Sequence, residues 1–343
     1  MLIKNFAQIL NDKIWTNELN SCTYVSTENM LTNFGGVCES ANVPNGKCTE
    51  FHTKDILISN IRPYFKKFWF AKFNGGCSND VLAIRTNEQC ISRYLYYALC
   101  SNKFVDLYVA SCKGTKMPRG NKEVLLNYNL ELPSLSKQQH IVDTIGSVDS
   151  LIEFNQEKIS KIKSLATRKY EFLYKTYPKS AIGKRLKFIK GKQPKFVSKE
   201  DGLPYLVIDD LASNIYTQFS SEGLACDEND VLMVMDGASS GKVFTGNKGY
   251  VGSTLAKLSS SQIKSSILYF GLSKFEEEIM KNTTGSAIPH TDKSFVSELR
   301  IIDDLDGKAT NFFDFCLNQI CNLRAQNSLL NIQKEILLQK YFH

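Results

Sequence analysis

Two segments of this chain repeat apolar residues at the spacing of a coiled coil. The first runs from Ser136 to about Tyr177, and the second from about Ala309 to Phe342. A 3.5-residue repeat held over about five heptads favours paired helices over ordinary surface helices. Each helix would be on the order of 50–60 Å long, at about 1.5 Å per residue. The residues predicted to pair the helices are Ile141, Ile145, Val148, Ile152, Ile159, Ile162, Ile320, Leu323, Leu330 and Leu337.

Polar residues interrupt both apolar patterns. Asn155 and Lys169 do so in the first segment, and Asn327 and Lys334 in the second. Two unrelated helices, each packed in its own bundle, would produce a similar pattern and remain an alternative.

The stretches that precede the two long segments resemble each other. A strand-like run at 55–58 (Asp-Ile-Leu-Ile) recurs at 230–233 (Asp-Val-Leu-Met), 175 positions later. A Gly-x-x-x-Pro sequence at 114–118 recurs at 285–289, 171 positions later. In each half a predicted final strand and then a long helix follow. One structural plan repeated twice accounts for this order, and such repeats are best recognised before any other feature is interpreted.

The repeat predicts an α+β protein. We expect two mixed α/β globular domains separated by a long antiparallel two-helix coiled coil, with a pseudo-two-fold internal repeat. The expected boundaries are 1–136 for the first globular domain, 137–178 for the first helix, 179–305 for the second globular domain and 306–343 for the second helix.

Composition narrows the classes of protein. Hydrophobic residues make up 43% of the chain and the net charge is +7, which suits ordinary globular domains and only modestly favours nucleic acid. No apolar run approaches the roughly 20 residues that a membrane helix needs. The ten cysteines include no C-x-x-C pair, so a zinc site is not expected. We expect the cysteines to be reduced thiols in a cytoplasmic protein.

Enzyme signatures are weak. The stretch 237–242 resembles a phosphate-binding P-loop, but it is one residue short between the glycines and has no Ser or Thr after Lys242. Four scattered histidines do not predict a metal site or a catalytic dyad. The acidic pairs Asp209-Asp210 and Asp303-Asp304 are typical of turns. We expect no catalytic residue, no metal and no cofactor on this chain, and an enzyme built on 237–242 remains an alternative.

Features typical of DNA binding are more coherent. Residues 59–70 mix cations with aromatics between two predicted strands, and both Gly-x-x-x-Pro sequences carry hydroxyls or cations. Cations neutralise phosphates, while Arg and Asn read base edges. The predicted DNA-binding residues are Asn60, Arg62, Tyr64, Lys66, Lys67, Lys113, Thr115, Lys116, Arg119, Ser239, Ser240, Lys242, Thr284, Ser286, His290 and Lys293.

With these features in place, the chain resembles the specificity (S) subunit of type I restriction–modification enzymes. The order of domains and helices resembles that of the family, and so do five stretches of sequence. They are 24–31 (Tyr-Val-Ser-Thr-Glu-Asn-Met-Leu), 132–142 (from Leu-Pro-Ser to Gln-Gln-His-Ile-Val), 191–194 (Gly-Lys-Gln-Pro) followed by 202–206, and the loops 114–119 and 285–290 before the last strand of each half. The second helix departs from the family, because Asp-Asp-Leu-Asp-Gly-Lys at 303–308 replaces the usual Pro and paired Gln.

The resemblance implies a non-catalytic function. Each globular domain would be a target recognition domain that reads one half of a split double-stranded DNA sequence. The helices would fix the gap and dock two methyltransferase (M) subunits, which carry S-adenosylmethionine and methylate adenine, and restriction (R) subunits would join them. An assembly module whose helices bind protein and whose globular domains do not read DNA is the alternative.

Overall fold

The computed structural model describes residues 1–112, 114, 117–213, 215–285, 288–303 and 305–343, and its residues cluster into two units. Unit 1 comprises Met1–Asp149 and Ile332–His343, and unit 2 comprises Ser150–Asn331. The divisions fall inside two long helices, so each unit contains part of both. The predicted boundaries at 136, 178 and 305 lie instead near the ends of these helices.

Short strands and helices form the first half of the chain. The strands are β1 (Ala7–Ile9), β2 (Lys13–Trp15), β3 (Tyr24–Val25), β4 (Lys47–Phe51), β5 (Ile56–Ser59), β6 (Phe68–Phe70), β7 (Gly75–Cys77) and β8 (Val81–Thr86). The helices are α1 (Ser92–Cys100), α2 (Asn102–Ala110), α3 (Lys122–Leu126) and the long α4 (Leu135–Tyr174).

The second half repeats this composition of elements. Its strands are β9 (Lys179–Ala181), β10 (Lys187–Lys190), β11 (Leu203–Leu206), β12 (Phe219–Ser220), β13 (Ala225–Cys226), β14 (Val231–Val234), β15 (Val243–Phe244), β16 (Gly249–Val251), β17 (Leu255–Ser259), β18 (Thr283–Thr284), β19 (His290–Thr291) and β20 (Arg300–Ile302). Its helices are α5 (Ile208–Ser213), α6 (Ser265–Lys274), α7 (Glu276–Lys281), α8 (Lys293–Glu298) and the long α9 (Gly307–Tyr341).

One antiparallel sheet recurs in both units with the same order and register. Unit 1 has the order β1-β8-β5-β6, and unit 2 has β10-β17-β14-β15. Ile56 pairs with Ile84 in the first sheet, and Val231 pairs with Leu258 in the second. All four residues of β5 and of β14 are buried, which explains why both read as continuous apolar runs in the sequence.

A second sheet is repeated in its centre and differs at its edge. In unit 1, β7 pairs in parallel with β3 and antiparallel with β4; in unit 2, β16 pairs in parallel with β11 and antiparallel with β13. The remaining strand joins β4 in unit 1, as β2, but joins β11 in unit 2, as β12. The predicted internal repeat and α+β class are therefore confirmed, with different edge strands in the two copies.

The long helices pack into the core of each unit. In unit 2 the rings of Tyr170 and Phe313 lie 5.8 Å apart, and Asn155 donates to Asn327 at 2.9 Å. Residue numbers rise along α4 as they fall along α9, so the helices are antiparallel there. In unit 1, Ile145 of α4 and Leu338 of α9 share one apolar cluster with α1 and α2.

Burial along the helices follows the predicted apolar pattern with local deviations. Among the residues predicted to pair the helices, Ile162, Leu330 and Leu337 are half-buried and the others are buried. The polar interruptions Asn155 and Asn327 are buried as well. Each fully buried aliphatic side chain contributes roughly 1.5–3 kcal/mol. Within the described parts of the chain, no helix combines the length and hydropathy needed to cross a membrane.

Candidate nucleic-acid interface

The first Gly-x-x-x-Pro sequence, called here Gly-Pro loop 1 (114–118), lies against the turn that follows β5. The amide of Arg62 donates to the carbonyl of Pro118 at 2.8 Å, and the amide of Gly120 donates to the carbonyl of Asn60 at 3.0 Å. The amide of Asn60 in turn donates to the carbonyl of Asp80 at 2.8 Å. Backbone bonds therefore hold the far end of the loop to the sheet independently of side-chain identity.

Gly-Pro loop 2 (285–289) is held in unit 2 by the same three bonds. The amide of Gly237 donates to the carbonyl of Pro289 at 2.9 Å, and the amide of Thr291 donates to the carbonyl of Met235 at 2.8 Å. The amide of Met235 donates to the carbonyl of Thr254 at 2.8 Å. Each donor and acceptor lies 171–175 positions after its counterpart in unit 1, so the sequence repeat is also a repeat of hydrogen bonding.

The glycines of both loops adopt backbone angles that other residues avoid. Gly114 has φ +96° and Gly285 has φ +91°. A β-carbon added to Gly285 would lie 2.5 Å from the carbonyl oxygen of Ile288, which is too close for a real contact. Glycine at this position therefore lets the chain turn back tightly before the proline.

In unit 1 a strained turn displays the predicted aromatic and basic residues. Arg62 and Lys66, with φ +49° and +52°, flank a short helical turn at Pro63–Phe65. Left-handed conformations at such residues cost on the order of 1 kcal/mol each and cluster at functional sites. Arg62 and Tyr64 are exposed, and the Tyr64 ring lies 4.7 Å from that of Phe65.

Arg119, which follows Gly-Pro loop 1, combines exposure with a fixed orientation. Its guanidinium lies 2.9 Å from a carboxylate oxygen of Asp80, and its side chain is 57% exposed. A guanidinium carries five N–H donors, so this ion pair leaves donors for a phosphate or for a guanine edge.

His290 holds the corresponding position after Gly-Pro loop 2. Its Nδ1 lies 2.7 Å from Asp236, and the ammonium of Lys190 lies 2.6 Å from the other oxygen of that carboxylate. Burial alone would raise the pKa of Asp236, but the hydrogen bonds from Lys190 and His290 outweigh it and lower the pKa. The ionised Asp236 therefore orients two basic side chains, much as Asp80 orients Arg119.

The turn at 237–242 does not support the nucleotide-binding alternative. It joins β14 to β15, which pair antiparallel, whereas a P-loop joins a strand to a helix. Gly237 and Gly241 have φ +104° and +97°, which closes this hairpin. Ser239 and Lys242 are half-exposed at the turn.

Two predicted DNA-binding residues point into the protein. The Oδ1 of Asn60 accepts a hydrogen bond from the buried Tyr108 hydroxyl at 2.9 Å, and burial raises the pKa of that tyrosine. Ser240 is 2% exposed, and its hydroxyl donates to the carbonyls of Gly237 and Pro289. Their polar groups already have partners within the fold, and a DNA contact by either residue stays a prediction.

The other predicted residues have varied surroundings. The ammonium of Lys67 donates to the carbonyl of Thr27 at 2.7 Å, which ties it to a neighbouring loop. Thr284 is exposed, and Lys293 is exposed with its ammonium 5.9 Å from the ring of Phe188. The remaining predicted residues lie outside the described residues: Lys113, Thr115, Lys116 and Ser286.

Sequence reasoning missed the acidic residues of this surface. Asp80 and Asp236 lie in no recognisable sequence motif. Their positions beside predicted strand ends are the one sequence feature that could have indicated a role at this surface. Because they come from non-equivalent points of the repeat, comparison of the two halves did not align them. Among the described residues, no cluster of three His, Cys, Asp or Glu side chains has the geometry to hold a metal ion.

The long helices expose large apolar side chains in unit 2. Six of these side chains are more than half exposed: Leu151, Phe154, Leu165, Phe172, Phe315 and Leu329. Contiguous exposed apolar patches are typical of surfaces that contact another protein, whereas single exposed apolar residues are common.

Comparison with known proteins agrees with this geometry. Residues 10–164 match the family described as type I restriction modification DNA specificity domain. This part of the chain is similar to that domain family. The matched residues begin just before β2 and end within α4, so the match includes Gly-Pro loop 1 and its supporting turn.

Two of the proteins that this chain is similar to are named specificity subunits. The chain is 31% identical over 173 residues to the Type I restriction enzyme MjaVIII specificity subunit of Methanocaldococcus jannaschii, covering 47% of this chain and 40% of the relative. It is 28% identical over 111 residues to the EcoDI specificity subunit of Escherichia coli, covering 32% of this chain and 24% of the relative. These matches span less than half the length of either relative.

A solved structure extends the likeness in fold to both units. The type I restriction–modification S subunit from M. genitalium matches with a TM-score of 0.52 and 17% identity, over 100% of this chain and 95% of that one. This similarity concerns the fold, which combines two domains with a long helix.

Proposed function

We propose that this chain is the non-catalytic, sequence-specific DNA recognition subunit of a type I restriction–modification complex. In this proposal each unit reads one half of a bipartite double-stranded target. Partner M subunits carry S-adenosylmethionine and methylate adenine, and R subunits join for restriction. The specificity domain at 10–164 and the specificity-subunit relatives support the proposal.

The repeated attachment of the two Gly-Pro loops carries the bipartite part of the proposal. Each loop is held by three equivalent backbone bonds and is followed by an exposed basic or ionisable side chain, Arg119 or His290. A chain that presents the same loop twice has two equivalent surfaces for two half-targets. Arg suits guanine and phosphate, whereas His offers a smaller donor, so the two halves would read different bases.

The exposed apolar residues of the long helices support docking of the methyltransferase subunits. Side chains such as Phe172 and Leu329, at 64% and 67% exposure, are available to a protein partner in unit 2. The same residues favour the second candidate function, an assembly module that binds protein through its helices without reading DNA.

Methylation mapping tests the proposal directly. The chain is co-expressed with a cognate M subunit in cells that lack other adenine methylation, and methylated adenines are mapped across the genome. We expect one split motif with a constant gap, and no methylation from the M subunit alone. Methylation without a bipartite motif would contradict the proposal.

Salt titration separates the two candidate functions. Binding that neutralises phosphates weakens steeply as salt rises, because condensed counterions are released. The complex is titrated against duplexes with and without the mapped motif at several salt concentrations. Absence of measurable affinity for either duplex, or affinity that does not fall as salt rises, would favour the assembly module.

A further inference from the structure

Met117 and Ile288 occupy the same position in the two Gly-Pro loops, immediately before the proline. Their numbers differ by 171, as do those of the glycines and prolines of the loops. Both side chains are large and apolar, and both are more than half exposed, at 53% and 57%. Single exposed apolar residues are common on protein surfaces, but the same exposure at both copies of a repeat is a shared property of the loop.

Backbone hydrogen bonds hold the chain immediately after each of these side chains. The positive-φ glycine turns the chain, and the proline that follows each apolar residue bonds through its carbonyl to Arg62 or Gly237. Neither side chain has a place in the apolar clusters of its unit. The exposure of Met117 and Ile288 is therefore a property of the folded loops. These side chains add no buried apolar surface to the fold.

The neighbouring basic side chains indicate which partner covers these residues. Arg119 and His290 follow two positions after Met117 and Ile288, and their side chains are 57% and 51% exposed. An apolar group beside a hydrogen-bond donor such as a guanidinium or an imidazole fits a DNA major groove, where phosphates flank base edges. The thymine 5-methyl is the apolar group on those edges.

We propose that Met117 and Ile288 each pack against the 5-methyl group of a thymine, one in each half-target. This inference rests on the proposed function. It adds that each half-target contains an essential A·T pair, whose thymine the loop contacts. Removing one methyl group from such a contact forfeits about 0.8 kcal/mol, which corresponds to a fourfold loss of affinity.

Deoxyuridine substitution tests the proposal on the full complex. Each thymine of the mapped motif is replaced in turn by deoxyuridine, which lacks only the methyl group, and the dissociation constant is measured. We expect about a fourfold loss at one thymine in each half. Met117→Ala should abolish the sensitivity in one half and Ile288→Ala in the other, with no further loss on the substituted duplex.

A matched control lies in the same unit. Leu107 of α2 is 44% exposed and lies outside both loops, so Leu107→Ala should keep both deoxyuridine effects. A half-target without thymine on either strand would overturn the proposal, as would deoxyuridine effects that persist in the alanine variants. A further test places 2-aminopurine in the duplex. A rise in its fluorescence that requires Met117 or Ile288 would show that the side chain inserts between bases, which would also overturn the proposal.

The design separates this inference from the proposed function. If the wild type methylates a specific sequence but shows no deoxyuridine effect, the thymine contact is refuted and the proposed function is unaffected. If methylation shows no sequence preference, the proposed function is refuted, and so is the thymine contact that depends on it.

Discussion

Replacement of Asn155 by leucine tests whether the buried amide pair stabilises the helix pairing in unit 2. The Nδ2 of Asn155 donates to the Oδ1 of Asn327 at 2.9 Å, and the two residues are 7% and 1% exposed. The Nδ2 of Asn327 also donates to the carbonyl of Ile152 at 3.4 Å. The Nδ2 of Asn155 also lies 3.5 Å from the Oε1 of Gln326, and the neighbouring helix residues Ile152 and Leu323 are buried and apolar.

The expected loss follows from the polar atom that remains. Asn155→Leu leaves the Oδ1 of Asn327 buried without its donor, and an unsatisfied buried group costs about 1–3 kcal/mol. Unit 2 contains 182 residues, counted from Ser150 through Asn331. For a domain of this size each kcal/mol shifts the melting temperature by about 2–4 °C. A loss near 2 kcal/mol therefore predicts a melting temperature about 4–8 °C lower.

The double variant separates polar mismatch from loss of packing. Asn155→Leu with Asn327→Leu removes both amides, so no unsatisfied group remains and two apolar side chains meet. We expect it to be at least as stable as the wild type, with a coupling free energy of at least about 1 kcal/mol. Thermal and guanidinium unfolding of the full chain, followed by circular dichroism, measure both values.

The control for this pair is another asparagine on the same helix. Asn322 of α9 is exposed, so Asn322→Leu should change stability by less than about 0.5 kcal/mol. An unchanged melting temperature for Asn155→Leu, or a double variant as unstable as the single, would refute the reasoning.

Three further predictions concern charged groups. Arg119→Ala should weaken specific duplex binding at least fivefold, while Arg119→Lys should retain phosphate neutralisation and recover part of the loss. Equal affinity of the wild type and both variants would exclude a DNA contact by Arg119. Asp149, 12% exposed, lies 2.7 Å from Lys334, so Asp149→Asn should lower the unfolding free energy by about 2 kcal/mol, and adding Lys334→Gln should restore part of it; a silent single variant would count against this ion pair. Burial raises the pKa of Asp210 from 3.8 to about 6, although Thr217 donates to its carboxylate. The folded state thus holds this proton more tightly than the unfolded state between pH 3.8 and 6, and the ionised group destabilises the fold above that range by on the order of 3 kcal/mol. Asp210→Asn should therefore stabilise the protein at pH 7.5 in urea unfolding and lose that advantage near pH 4; a benefit independent of pH would show that ionisation is not the cause.

The predicted interface shows where comparison of the two halves succeeded and where it failed. The Gly-Pro loops were found because glycine and proline have backbone requirements that leave a visible spacing in the sequence. The sequence did not show that Asn60 accepts a hydrogen bond from Tyr108, because an asparagine in a turn has the same sequence signal whether its amide faces solvent or a buried hydroxyl. Asp80 and Asp236 escaped notice because each orients its cation from a different point of the fold.

Hydrophobic periodicity and turn residues were enough to determine the two long helices, the repeated α+β plan and the position of both loops. These features depend on local geometry, which neighbouring residues encode directly. Tertiary structure decided which polar residues are buried, such as Asn155 against Asn327, and which acids hold Arg119 and His290. Those contacts join residues distant in sequence, and their partners are set by how the strands and helices pack.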